Sequence, residues 1–529
     1  MALLISAVVA QGAFGRPTAP SPLPSFLGPP SPRPTGSASA APLPTATPEP
    51  PGVAIPRLEA ILKANPNDKT ALQELAGYYL GVNRPDQALA MTQRLIALGV
   101  RNAQVLYLDG VASQSVGRLK EATEDLENAS NQEPTNAQIL LTLTRLYLQT
   151  NRGGDAERVA KRATTFNPND PTVFENYGFV LATEKKYDEA RQQFETAAKV
   201  SPKDPEPFIL EAKTYEEQNA LALAGQLYDR ALTVDPKYGE ALLGKARLLA
   251  VEHNIKDSIA TYELLLATLT TDQAKAALLI EEFQVYRSEK MTAEADAAIK
   301  RVVAAYPNVA AVHVAYGDYY ASNKDLTNAT NEWKTALGPN RDNPDALERL
   351  GQLAASQNKP NEAIDDFKRV TEVTPNDPTA FLQLGQMYGL LRQYDKAREN
   401  YRHSFELSKT PQALAGYGTS DFEENNFKEC AAVFDAVDRG AGDYLKQNPQ
   451  LYYVMGKCYQ QTGQRDKARL AYTRFQAFVK PGSQLAQQVK KAIDSLNHTD
   501  PPRPAPKPAL KATPKPSVKV TPKPSASPH

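Results

Sequence analysis

The sequence predicts an all-α fold: an α-solenoid of about twelve helix–turn–helix repeats with proline-rich ends. Three observations predict it. Apolar residues recur at helical spacing in pairs of short segments. The pattern returns about every 34 residues over most of the chain, the mark of stacked repeats. Of the 42 prolines, 23 gather in the two short ends, where the apolar periodicity stops.

Residues 171–204 show the unit most clearly. Phe174, Tyr177, Gly178 and Leu181 share one face of a first helix, and Tyr187, Ala190, Phe194 and Ala197 one face of a second. A turn falls near 184–186. Pro202 ends the second helix because proline has no N–H and excludes helical backbone before it. Asp204 stands where an N-cap belongs and Pro205 where a helix begins. Gly178 and Ala190 are small where two helices must cross closely. One such pair cannot bury its apolar face alone, so neighbouring copies must stack.

With its apolar residue at position 4, Tyr177-Gly178 at 7–8, Leu181 at 11, Ala190 at 20, Phe194 at 24, Ala197 at 27 and Pro202 at 32, this unit resembles the tetratricopeptide repeat. The position-20 residue recurs as Ala88, Ala122, Ala156, Ala190, Ala224 and Ser258, then as Ala295, Ala329, Ala363, Ala397, Cys430 and Ala468. The resemblance covers residues 53–499 and implies a right-handed superhelical array.

Taken in order, residues 1–15 read as a signal peptide or as an apolar N-terminus. Ala2–Ala10 is apolar with small residues after it, but no Lys or Arg precedes Arg16. Export to the periplasm, envelope or medium is the expectation, over a cytoplasmic location. Residues 16–52 are a Pro-, Ser- and Ala-rich linker whose composition cannot bury a core. Residues 53–66 hold half a repeat, with Ala54, Leu58, Ile61 and Pro66 at positions 20, 24, 27 and 32. The period slips by a few residues near Thr268–Asp272, which reads as a tolerated loop insertion. Trp333 falls at core position 24. Residues 439–443 carry a loop signal, and residues 483–498 read as a closing cap helix. Residues 500–529 form a cationic tail with no Asp or Glu after Asp500, in which Arg503, Lys507, Lys511, Lys515, Lys519 and Lys523 alternate with prolines. Such a tail is drawn to polyanions or serves as a solubilising linker. No aromatic residue is interleaved, so specific nucleic-acid binding is not expected.

The charges argue in the same direction. Lys plus Arg and Asp plus Glu both total 60, so bulk charge does not mark a nucleic-acid binder. The five histidines lie in different repeats or in the tail, and none forms a metal or catalytic motif. No phosphate loop or nucleophile elbow is present. The sequence therefore predicts no enzyme and no cofactor. His313, at position 4, reads as a packing residue. Cys430 and Cys458 lie on neighbouring helices and read either as a disulfide or as two small buried hydrophobes.

The family resemblance implies that positions 5, 9 and 12 of each first helix face a concave groove. Position 5 supplies Leu141, Ile209 and Leu243. Position 9 supplies Arg145, Phe179, Lys213, Arg247 and Gln284. An apolar stripe edged by three cations, with Phe179 as an anchor, suits a protein or peptide partner carrying some negative charge. The expected function is a non-catalytic protein–protein interaction scaffold. The alternative is an envelope-attached structural or polysaccharide-export accessory protein tethered by its tail. The sequence carries no sign of the oligomeric state.

Overall fold

The computed structural model describes residues 49–338 and 340–497. Among them are twenty-seven helices and no strand. They are α-helical hairpins in an α-solenoid arrangement, as the sequence predicts. The described residues divide between Arg341 and Asp342 into two compact units. First helices begin at Lys69, Ala103, Ala137, Pro171, Glu206, Gly239, Asp272 and Ala310 in one unit. In the other they begin at Pro344, Pro378, Pro411 and Gln450. None of the twenty-seven is long and apolar enough to cross a membrane.

Short polar caps start many of the first helices. Asp68 Oδ1 accepts from Ala71 N at 2.9 Å, Asn102 Oδ1 from Val105 N at 2.9 Å and Asn343 Oδ1 from Ala346 N at 2.9 Å. Each satisfies a backbone donor that the helix itself leaves open. Asp204 Oδ1 accepts from Glu206 N at 3.1 Å, but the helix starts at Glu206 with Pro205 at its N-cap, one residue later than expected. Ten of the turns inside the hairpins pivot on a non-glycine residue in left-handed conformation, from Asn83 at φ 57° through Lys185 at φ 63° to Asn425 at φ 62°. Gly117 and Gly463 hold the same position in the other two hairpins. Left-handed backbone at one register position in all twelve hairpins is not visible in the apolar pattern. Its residues are Asn, Gly, Lys, His and Arg, which share no hydropathy.

The core is a line of interlocked side chains between the paired helices. In seven of the twelve hairpins the first helix carries a glycine at position 8 and the second a large residue at position 24, and the two meet. A Cβ on Gly178 would stand 2.5 Å from the Phe194 ring, one on Gly317 2.5 Å from Trp333 and one on Gly456 2.5 Å from Tyr472. Phe194, Ala190 and Ala197 are fully buried. Trp333 is the packing residue expected, and its Nε1 donates to Asp318 at 3.1 Å. His313 is also a packing residue: its ring nitrogens lie 2.7 Å from Glu332 Oε2 and 2.9 Å from the Pro307 carbonyl.

Three local readings are corrected. In the N-terminal half repeat, Ile61 is exposed, and Ile55 and Leu62 are buried instead, so the face of that helix is rotated relative to the pattern. The slip near Thr268–Asp272 does not only lengthen a loop. Thr271 caps a first helix, Asp272–Ser288, that is about one turn longer than its neighbours. The loop signal at 439–443 is mostly helix: Phe427–Gly440 is followed almost at once by a short helix, Gly442–Gln447.

Cys430 and Cys458 form a disulfide between the second helix of one hairpin and the first helix of the next, with Cα atoms 6.0 Å apart. Both are fully buried.

Candidate functional site

The residues chosen from sequence as a groove all lie in the first unit, on successive first helices. The structure does not bring them together as an open cationic row. Ile209 is fully buried in a cluster with Phe208, Ala224 and Tyr228, and Phe179 is 5% exposed. Neither can anchor a partner on the surface, because adjacent first helices pack closely enough to absorb both side chains. Leu141 and Leu243 are half-buried against the core. Lys213 Nζ lies 3.6 Å from Glu240 of the next repeat. The Arg247 guanidinium grips Glu281, also one repeat on, at 3.0 and 2.5 Å. These pairs stitch repeat to repeat and neutralise the cations. Arg145 makes no ion pair among the described residues. Gln284 is exposed and accepts from Arg287 at 3.2 Å. The tail residues Arg503, Lys507, Lys511, Lys515, Lys519 and Lys523 lie outside the described residues.

The same row holds a half-buried acid that the sequence reading missed. Glu216 stands at position 12 of its repeat, beside Lys213 and below Arg247. Burial pushes its carboxyl up to about 7, a rise that the Tyr228 hydroxyl, donating at 3.1 Å, only partly offsets.

A marked concavity lies elsewhere, wholly within the second unit. It is a cleft of about 850 Å³. Its walls are the first helices Pro378–Leu390, Pro411–Glu423 and Gln450–Gln461, the short helix Gly442–Gln447 and the terminal helix Gln484–Asn497. Groove positions 5, 9 and 12 of three repeats line it: Gln386 and Gly389, then Ala415, Thr419 and Phe422, then Tyr453. Small residues make the space. Ala415 and Gly389 stand where the first unit carries larger side chains. The inserted helix brings Tyr444 over the edge. The ring of Tyr453 packs 5.5 Å from Phe475 and 5.9 Å from Tyr472. Burial raises the hydroxyl pKa of both Tyr444 and Tyr453.

The polar lining is mostly carboxamide. Gln412, Gln450 and Gln488 reach the cleft and make no side-chain hydrogen bond among the described residues. Arg392 and Glu423 are the charged side chains of the lining, one of each sign. Aromatic faces beside unsatisfied amides can hold an extended backbone: rings cover apolar side chains while carboxamides bond peptide N–H and C=O groups. The sequence signal was present at positions 5 and 9. It was a loss of bulk at Ala415 and Thr419 rather than a gain of charge.

Comparison with known proteins bears on the whole array. Models described as tetratricopeptide repeat match residues 115–175, 180–238, 348–404 and 449–475. Tetratricopeptide repeat protein 7B of Homo sapiens is 28% identical over 136 residues, which are 26% of this chain and 16% of that protein. The match therefore spans about a sixth of its relative's length. Among solved structures, a tetratricopeptide repeat protein from Parabacteroides merdae is 20% identical, with 47% of this chain and 98% of that one covered at a TM-score of 0.34. YrrB, described as a repeat protein with an unusual peptide-binding site, is 24% identical, covering 35% of this chain and 95% of its own, at a TM-score of 0.29. Yeast Tom70 is 14% identical, with coverage of 81% and 95% and a TM-score of 0.31.

Proposed function

We infer from its membership of the tetratricopeptide repeat family, to which this chain belongs, that it is a non-catalytic scaffold holding extended segments of protein partners. One observation carries the reading: three consecutive first helices of the second unit open an aromatic, amide-edged cleft at the family's groove positions. Such a surface binds chain rather than transforms it. The row through Arg145, Lys213 and Arg247 is the weaker seat, since two of its cations already serve carboxylates of the next repeat. A partner acid would have to displace those carboxylates before it gained anything.

Export is part of the proposal. It is supported by the apolar stretch Ala2–Ala10 and by the buried disulfide, which belongs to oxidising compartments. A second reading, an envelope-attached structural or polysaccharide-export accessory protein, is favoured by the acid-free Lys-Pro tail. We propose that repeats occupy 53–499 and that the ends at 1–15, 16–52 and 500–529 serve address and attachment.

The test is a native pull-down of the full chain beside two variants. Thr419→Arg fills the cleft. The other variant changes Arg145, Lys213 and Arg247 to Glu. A stoichiometric partner lost with Thr419→Arg, whose isolated segment then binds the purified full chain, is the expected result. A partner retained by both variants, or substrate turnover by the purified chain, would falsify the scaffold. Full release from membranes by salt, with no protein partner, would favour the tail-anchored reading.

A further inference from the structure

The cleft has an unusual neighbour. Its terminal wall is the helix Gln484–Asn497, which contributes Gln484, Leu485 and Gln488. The chain runs directly from that helix into Pro501-Pro502-Arg503-Pro504-Ala505-Pro506-Lys507-Pro508, outside the described residues. We propose that the cleft is the seat of this chain's own segment Pro501–Pro508, so that the site is self-occupied until a partner displaces the tail. The proposal rests on reading the cleft as a peptide seat.

Chemistry, reach and charge support this occupant. Proline-rich chain in the polyproline conformation has no internal hydrogen bonds, and it docks on aromatic-lined grooves as a preformed rod. The cleft supplies rings at Phe422, Tyr444 and Tyr453 and carboxamide donors at Gln412, Gln450 and Gln488 for the rod's bare carbonyls. With three residues per turn, the prolines at 501, 502, 504, 506 and 508 put at least one ring on every edge of that rod.

Reach is sufficient. Gln488 lies nine residues before the helix end, about 14 Å along the axis. Eight extended residues span about 25 Å, so 501–508 can return along the helix to the cleft. A tether this short holds the segment at an effective concentration of order millimolar. The lining is nearly neutral, which disfavours a polyanionic guest, and Glu423 provides a carboxylate for Arg503 or Lys507. The other proline-rich stretch, 16–52, runs into the helix Pro51–Ala64 of the first unit and has no comparably short tether to the cleft.

Hydrogen exchange on the full chain tests the proposal. In the tail variant, Pro501, Pro502, Pro504, Pro506 and Pro508 are all changed to Ser. Amides of Pro411–Glu423 and Gln450–Gln461 are expected to exchange about fivefold faster in it than in the wild type, as for loss of a ligand held several-fold above its Kd. Free peptide of sequence 498–510 should restore the slow rate. Full-chain Thr419→Arg should exchange as fast as the tail variant and ignore the peptide. Equal rates in wild type and tail variant overturn the proposal. So does restoration by a 16–52 peptide to the same degree, or restoration in Thr419→Arg. If the tail variant changes nothing while a partner segment still needs Thr419, the scaffold stands and self-occupation falls. If the wild-type tail binds anionic vesicles while the cleft rates match the tail variant, the tail is a polyanion contact instead.

Discussion

Gly178→Ala isolates the contact on which the glycine-bearing hairpins close. The new Cβ would meet Phe194 Cε1 at 2.5 Å and both Cδ1 and Cζ at 2.8 Å. Carbon atoms rest near 3.5–4.0 Å, so the overlap is about 1 Å against the flank of a ring. Phe194 is fully buried and cannot swing out. Overpacking of this kind costs about 1–3 kcal/mol. The same substitution removes a helix-interior glycine, worth about 1 kcal/mol in the opposite direction. Gly77→Ala supplies the control. Gly77 lies in the helix Lys69–Gly81 with nothing within 4 Å of its Cβ position, so only the gain applies. Urea unfolding followed by circular dichroism should raise the midpoint for Gly77→Ala and lower it or leave it flat for Gly178→Ala. The two variants should differ by about 1–3 kcal/mol. Adding Phe194→Leu to Gly178→Ala should cost less than the sum of the single changes, because the smaller side chain relieves the overlap. If Gly178→Ala stabilises as much as Gly77→Ala, the close approach is not what the glycine is for, and the account of the core fails.

Lys185 sits at φ 63°, where an L side chain costs about 1–2 kcal/mol, so Lys185→Gly should gain about 0.5–1 kcal/mol net of the entropy glycine loses on folding; an unchanged or lower urea midpoint contradicts this. Glu216 has its folded pKa raised by burial from the usual carboxylate range to about 7. Its contribution to stability is therefore present in full below about pH 4.5 and lost as pH rises through about 7. Glu216→Gln should flatten the midpoint between pH 5 and 8 by on the order of 1–2 kcal/mol, and a parallel profile would refute it. The disulfide closes a loop with a sequence separation of 28 residues, so Cys458→Ala should destabilise the second unit by about 3–4 kcal/mol. Because both sulfurs are buried, reductant should release labelable thiols only as that unit opens; rapid labelling of the native protein would contradict the burial.

The fold was legible because each repeat restates it. Ala190, Phe194 and Gly178 mean little singly, but their positions recur through the array, and periodicity needs no knowledge of contacts. What escaped were features without a hydropathy signal. The left-handed pivot is Asn83 in one hairpin, Lys185 in another and His253 in a third, and only the backbone unites them. The insertions near Thr268–Asp272 and after Arg439 looked like loops because insertions usually are, yet the first lengthens the helix Asp272–Ser288 and the second forms the short helix Gly442–Gln447. Ile61 held a core position in register but not in space, since among the described residues this half repeat has a neighbouring helix on one side alone.

The site was hard to read for a different reason. Charges at position 9 attracted notice because unpaired cations suggest a ligand, but a solenoid repeats its acids as faithfully as its bases. Arg247 therefore finds Glu281 one period later, and the row becomes part of the scaffold. A cleft between stacked helices arises where bulk is withdrawn at several facing positions together. Ala415, Gly416 and Gly389 are unremarkable one at a time, and Gly416 also fits a close approach to the Tyr401 ring. They open a seat because the inserted helix and the terminal helix stand across from them instead of another hairpin. Specificity in such an array thus falls where the period breaks: the regular repeats consume their own side chains in packing, and the irregular end has amides and rings left over for a partner.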